Sequence, residues 1–127
     1  MIVIKTEELN RYINALLNKS EEAYLMSIEI INKPTINYRT EGFCFFICNA
    51  WELLLKAYLI NKAKDINVIN YKDDTNRTIG LDECVEKVFT STTDKAKNNI
   101  SFVRNIRNKA THLILPEYDF ILSPAFQ

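Results

Sequence analysis

The sequence predicts an all-α fold, a bundle of four to five helices. Three observations carry this expectation. The 127 residues contain only two Gly and three Pro, too little punctuation for many short strands and turns. Apolar residues recur at helical spacing along most of the chain. One central segment, Phe43 to Ile60, is apolar nearly all round, as the buried helix of a soluble domain is. The length suits a single domain, taken as 1–127, with enough chain to bury a core.

The first helix is expected from about Thr6 to Asn32. Thr6 is the candidate N-cap, and Glu7 and Glu8 in the first turn suit the helix dipole. Leu9, Tyr12, Ile13, Leu16 and Leu17 keep helical spacing. A bend or restart is expected at Ser20-Glu21-Glu22, followed by Ala23, Leu25, Met26, Ile28, Ile30 and Ile31. Pro34 ends the helix. The second helix spans about Tyr38 to Lys62, with its polar residues Asn49, Glu52 and Lys56 in one stripe. The segment at about 65–80 reads as an irregular loop or a short hairpin, with Val68-Ile69 facing Thr78-Ile79. A short helix follows at about Leu81 to Phe89. The last long helix starts near Ser91 to Asp94, where S-T-T-D fits a capping box and Thr93 is the alternative cap. It runs to about Leu113, its apolar face being Ala96, Ile100, Val103, Ile106, Ala110 and Leu113, and Pro116 stops it. The tail after Tyr118 is apolar (Phe120, Ile121, Leu122, Phe126), which suggests either that the natural protein continues or that the tail docks on a partner.

Charged residues make up 25% and the formal net charge is zero, which argues against a general nucleic-acid coat but not against a local basic site. Sixteen Ile and fourteen Asn hint at an AT-rich prokaryotic genome. Cys44, Cys48 and Cys84 are an odd count without framework spacing, so they read as reduced thiols of a cytoplasmic protein. The i, i+4 pair Cys44 and Cys48 has no second pair to complete a metal set, so small core residues are expected. No signal peptide is visible. Phe43 to Ile60 is about as long as a minimal membrane span, but Glu52 and Lys56 would each cost about 2.5–3.5 kcal/mol at a bilayer centre. A buried helix is therefore expected, and no membrane.

Positive charge gathers on the last helix. Lys95, Lys97, Arg104, Arg107 and Lys109 face a single acid between Asp94 and His112, the only His of the chain. Arg offers a planar fork matched to phosphate oxygens. His both gives and takes a proton near neutral pH. Asn supplies a neutral orienting hydrogen bond. Arg107, Asn108 and His112 together suit phosphodiester cleavage by a neighbouring 2′-hydroxyl, with Arg104 and Lys109 as further phosphate contacts. No metal-ligand set and no cofactor motif is offered. On an ideal helix Arg107 and His112 lie about 140° apart, whereas Arg104, Asn108 and His112 share a face. One His also cannot easily serve as both base and acid. Two chains meeting along this helix would resolve both difficulties, so a homodimer is expected.

Arg107-Asn-Lys-Ala-Thr-His112 resembles the R-x-x-x-x-H signature of the HEPN superfamily, with the polar residue that often follows the Arg. Asn32-Lys-Pro-Thr-Ile-Asn-Tyr-Arg39-Thr-Glu41-Gly-Phe and Asn49-Ala-Trp-Glu52-Leu-Leu-Leu-Lys56-Ala-Tyr resemble an uncharacterised HEPN-like family whose corresponding helices precede the motif helix. The likeness extends from about Leu9 to the tail. It implies a four- or five-helix bundle that dimerises with its motifs facing a shared cleft. It further implies, for many members, metal-independent endoribonuclease activity in toxins, phage defence or CRISPR-associated systems, while other members only bind nucleotides or partners. One toxin subgroup has a Tyr two residues after the His, modified by its antitoxin; here that position is Ile114, so this control does not carry over.

Plainer roles stand beside these. His112 suits a helix C-terminus through the dipole alone. Arg107 suits a salt bridge to an acid of the second helix, and Arg104 and Lys109 a solvated face. Glu52 and Lys56 have the favourable orientation for an intrahelical pair. Equally, an acid buried near the basic helix would orient Arg107 or His112. Trp51, Phe43, Phe45 and Phe46 read as core or dimer interface. The alternative to a ribonuclease is a non-catalytic module for nucleotide binding, partner binding or dimerisation.

Overall fold

A computed structural model describes residues 2–71, 77–91 and 94–110. Among these residues four helices form an all-α bundle: α1 (Ile2–Ile31), α2 (Arg39–Ala63), α3 (Leu81–Val88) and α4 (Lys95–Ala110), with a 3-10 turn at Ile66–Ile69 between α2 and α3. No strand occurs among the described residues.

α1 begins before the expected cap, at Ile2, so Thr6 lies inside the helix and does not start it. The helix runs through Ser20-Glu21-Glu22 without a restart. The reason is visible at Ser20. Its buried hydroxyl donates to the Ala50 carbonyl of α2 at 2.7 Å, so a residue that favours caps is held in mid-helix by tertiary packing. Ile13, Ser20, Ala23, Ser27 and Ile31 make the buried face of α1. The Lys33 amide, donating to Ile30 O at 3.1 Å, closes the last turn before Pro34, which cannot donate and disfavours a helical residue before it.

α2 returns antiparallel to α1, since Ser20 meets Ala50 while Ile30 meets Gly42. A Cβ on Gly42 would stand 3.2 Å from Ile30 Cγ2, so glycine permits the close approach near the turn. α2 is long and apolar enough to cross a membrane by length and composition. In this structure it is the central helix, packed against α1, the 3-10 turn, α3 and α4. Phe43, Cys44, Cys48, Leu55, Leu59 and Ile60 meet Ile79, Cys84, Ile100 and Ile106 in one core. Trp51 packs at the edge of that core, while Phe45 is exposed and meets Phe46 edge-on at 5.4 Å. Lys64, left-handed at φ 56°, caps α2 by donating its amide to Ile60 O at 2.8 Å.

The hairpin expected at about 65–80 is reduced to an isolated bridge, Asn70 with Thr78, and its register is shifted by one residue. Ile69 O accepts the Ile79 amide at 2.8 Å. Val68 is absent from the pairing because Asp65 caps the 3-10 turn, its Oδ1 accepting the Asn67 amide at 3.0 Å. Arg77 stacks over Tyr71 at 5.2 Å, but the intervening residues 72–76 lie outside the described residues.

Candidate functional site

α4 starts at Lys95, and its cap is Asp94 rather than Ser91. Asp94 Oδ1 accepts the amides of Ala96 at 2.8 Å and Lys97 at 3.3 Å. The acid expected to close a capping box three residues into the helix therefore serves as the N-cap itself. Thr93, the alternative cap, lies outside the described residues. Ile100, Val103 and Ile106 are buried, which fixes the rotation of the helix, and Ala96 and Ala110 flank them half-buried.

That rotation turns Lys97 and Arg104, seven residues apart, toward the acidic side of α3. Arg104 Nε pairs with Asp82 Oδ1 at 2.5 Å, and Lys97 Nζ with Glu86 Oε1 at 3.6 Å. Arg104 Nη1 also donates to Asn105 Oδ1 at 2.9 Å. Arg104, expected as a phosphate contact, is thus already engaged by a carboxylate. Its pairing with Asp82 also replaces the plain solvated face that was its other reading. Asp82 and Glu86 did not figure among the candidate residues. Their i, i+4 spacing opposite a Lys/Arg pair at i, i+7 is the signal that points to them.

Arg107 is half-buried and has no carboxylate partner among the described residues. Its Nε and Nη2 donate to Oδ1 of Asn108 at 3.3 and 3.2 Å. Lys109 is exposed. His112, the third member of the expected set, lies outside the described residues, as do Leu113, Ile114 and the apolar tail.

Glu52 and Lys56 form the intrahelical pair. Lys56 Nζ lies 2.9 Å from Glu52 Oε2 and donates at 3.0 Å to Thr78 Oγ1, so the buried ammonium ties α2 to the bridge. Asn49 of the same stripe is exposed. Among the described residues Glu52 bonds Lys56 and not Arg107, so its second reading, as an acid that orients the basic helix, has no contact behind it; Glu52 and the α4 arginines share only an influence on the buried Cys48. Burial pushes this thiol up from its ordinary 9.0 to about 11, while Arg107 and Arg104 pull it down and Glu52 and Asp82 push it up. Two arginines of α4, one carboxylate of α2 and one of α3 thus act on one thiol between the helices. Burial likewise raises Cys44 to about 12 and Cys84 to about 11. Such thiols are protonated core groups, inert as nucleophiles at neutral pH. Among the described residues, no three His, Cys, Asp or Glu side chains cluster to hold a metal ion.

Among the described residues Arg107 of α4 has a guanidinium with no carboxylate partner and a fork steadied by a neutral amide. This can receive an anion. The family model described as Domain of unknown function (DUF3644) matches residues 15–127. No curated protein and no solved structure matches the chain.

Proposed function

This chain belongs to the family of the domain of unknown function DUF3644, and from its Arg107–His112 motif and the state of Arg107 we propose that it is a metal-independent endoribonuclease of the HEPN type. The observation that supports this most is the state of Arg107. Among the described residues its guanidinium bonds a neutral Asn108, whereas Lys97 and Arg104 of the same helix are matched by acids. A helix built only for stability gains from pairing Arg107 as well. An Arg left with a neutral orienting partner keeps its charge for a ligand.

In the proposed reaction His112 removes the proton of an RNA 2′-hydroxyl. The 2′-oxygen then attacks the adjacent phosphorus, and the bond from phosphorus to the 5′-oxygen breaks. The leaving oxygen takes its proton from His112 of a second copy, and Arg107 stabilises the charge that builds on the non-bridging oxygens. The products are a 2′,3′-cyclic phosphate and a 5′-hydroxyl. The working unit is accordingly a homodimer whose two motif helices border one cleft, and RNA is the substrate. The setting is the prokaryotic cytoplasm, in stress or phage defence, with a further domain or partner protein as the source of control.

The product ends test the reading. Incubated with RNA in EDTA, the protein should leave cyclic phosphate ends. Products with 3′-hydroxyl ends, or cleavage that EDTA stops, would exclude this chemistry.

A second reading has its own support. With Lys97 and Arg104 matched by Glu86 and Asp82, the positive surface of α4 is smaller than its sequence implies. That favours a non-catalytic nucleotide- or partner-binding module. Overexpression separates the two, since a ribonuclease slows growth in a His112-dependent way and a passive module does not.

A further inference from the structure

We infer that the outer face of the α1–α2 pair, and not α4, is the surface by which two copies of this chain hold together. The inference rests on the homodimer of the proposed reading and assigns its contact.

Two adjoining clefts run along the pair, of about 450 and 320 Å³, and both are lined by Leu17 and Leu54. The larger is also lined by Asn10, Asn14 and Asn61, and the smaller by Tyr24, Ile47 and Trp51. Leu17 and Leu54 are each 39% exposed, Tyr24 49% and Tyr58 50%. On α2, Ile47, Trp51, Leu54 and Tyr58 follow one another at i, i+4, i+7 and i+11, a continuous helical stripe. The α2 stripe and the smaller cleft form an exposed apolar surface with amides at one end, and such surfaces mark interaction sites. Its central Trp51 and flanking tyrosines are residue types that anchor interfaces.

Three features select a second copy as the occupant. The first is charge. Glu21 is the one charged residue among those lining the two clefts, so this face can meet its own image across a two-fold axis without like charges in register. The second is size. The cleft residues of α2, Ile47 to Asn61, extend about 22 Å, and two helices side by side are about 20 Å wide, so each copy offers roughly 450 Å² and two copies together about 900 Å², a contact of the small, reversible class. The third is the failure of the alternative. The exposed stripe of α4 is Lys95, Asn98, Phe102, Asn105 and Lys109. Placed against its image, it would set ammonium groups near one another over little apolar area. The α4 helices of a dimer would border a wet cleft while the α1–α2 faces supply the affinity.

Sedimentation equilibrium of the full chain tests this, with Leu54→Glu and Leu17→Glu as exposed-site variants whose helix content is checked by circular dichroism. The wild type should be a dimer, and each folded variant should raise the dissociation constant at least tenfold. Cross-linking supplies the second readout. With the three native thiols buried, a short bismaleimide should join subunits through Leu54→Cys but not through Phe102→Cys. A monomeric wild type overturns the inference and the dimeric reading with it; a groove filled instead by another protein or by further chain would give that same result. A dimer that ignores both glutamates and cross-links only through Phe102→Cys overturns the inference alone and leaves the dimeric ribonuclease standing.

Discussion

The Arg107 guanidinium turns back onto the next residue of its own helix, donating from Nε and Nη2 to Asn108 Oδ1 at 3.3 and 3.2 Å. A neutral acceptor fixes the plane of the fork without cancelling its charge, in contrast to Arg104 three residues earlier, which is paired with Asp82. Within the proposed mechanism this distinguishes the arginine that binds phosphate from the one that holds α3 to α4.

The fork, and not only the charge, should therefore matter. Arg107→Lys should lower the RNA cleavage rate by about 10²-fold, the range for losing one donor to a developing oxyanion. Asn108→Ala should cost less, about tenfold, since it loosens the fork without removing it. Single-turnover cleavage rates on proteins of equal helix content check the ranking, and equal losses in both variants would contradict it.

Matched cations on α4 make a prediction of opposite sign. Asp82→Asn and Glu86→Gln each release one cation. Both ion pairs are partly exposed, so either change should cost less than about 1 kcal/mol of stability. Either should also strengthen RNA binding and steepen its salt dependence by about one phosphate contact. Binding titrations across a salt series, beside urea unfolding, measure both effects.

Much of this architecture was legible in the sequence. The all-α class, the all-round apolar α2 and the buried face Ile100, Val103 and Ile106 follow from spacing alone. The departures have tertiary causes. Ser20 sits in mid-helix because Ala50 O accepts its hydroxyl, and Val68 leaves the pairing because Asp65 winds it into a 3-10 turn. Periodicity marks which residues are apolar but not which face becomes covered, so Leu17, Leu25 and Met26 read like core and stand exposed. At the candidate site, the basic helix was visible while its partners Asp82 and Glu86 were not, because their pairing depends on how α3 docks. Arg107 and Asn108 were named from the motif, and the bond between them is what the structure adds.

Glu52 and Lys56 separate a structural role from a catalytic one. Lys56 is nearly buried, so Glu52→Gln strands an ammonium and should cost about 1–3 kcal/mol in urea unfolding. Lys56→Met keeps the stem, removes the charge and should cost less. If the pair serves only to tie α2 to Thr78, cleavage should survive in whatever fraction remains folded. A cleavage loss in Glu52→Gln exceeding that fraction would assign Glu52 to the orientation of Arg107.

The buried thiols predict alkaline sensitivity. Cys44, Cys48 and Cys84 ionise at about 12, 11 and 11 in the folded chain against 9.0 ordinarily. Below pH 9 all three are protonated in both states and their contribution is constant. Above pH 9 the unfolded chain sheds protons that the folded chain retains, so stability falls with rising pH until the folded thiols titrate, by up to about 1.4 kcal/mol per pH unit for each. Urea unfolding between pH 8 and 11 should show this slope, and Cys84→Ala should flatten it by about a third.

The central claim is that Arg107 and His112 cut RNA, and the rate of RNA cleavage in EDTA by the wild type, Arg107→Ala and His112→Ala tests it most directly. The account predicts cleavage by the wild type and its loss, by at least about 10²-fold, in each variant with helix content unchanged. Cleavage that persists undiminished in both variants, or a wild type with no activity on any RNA, would contradict it.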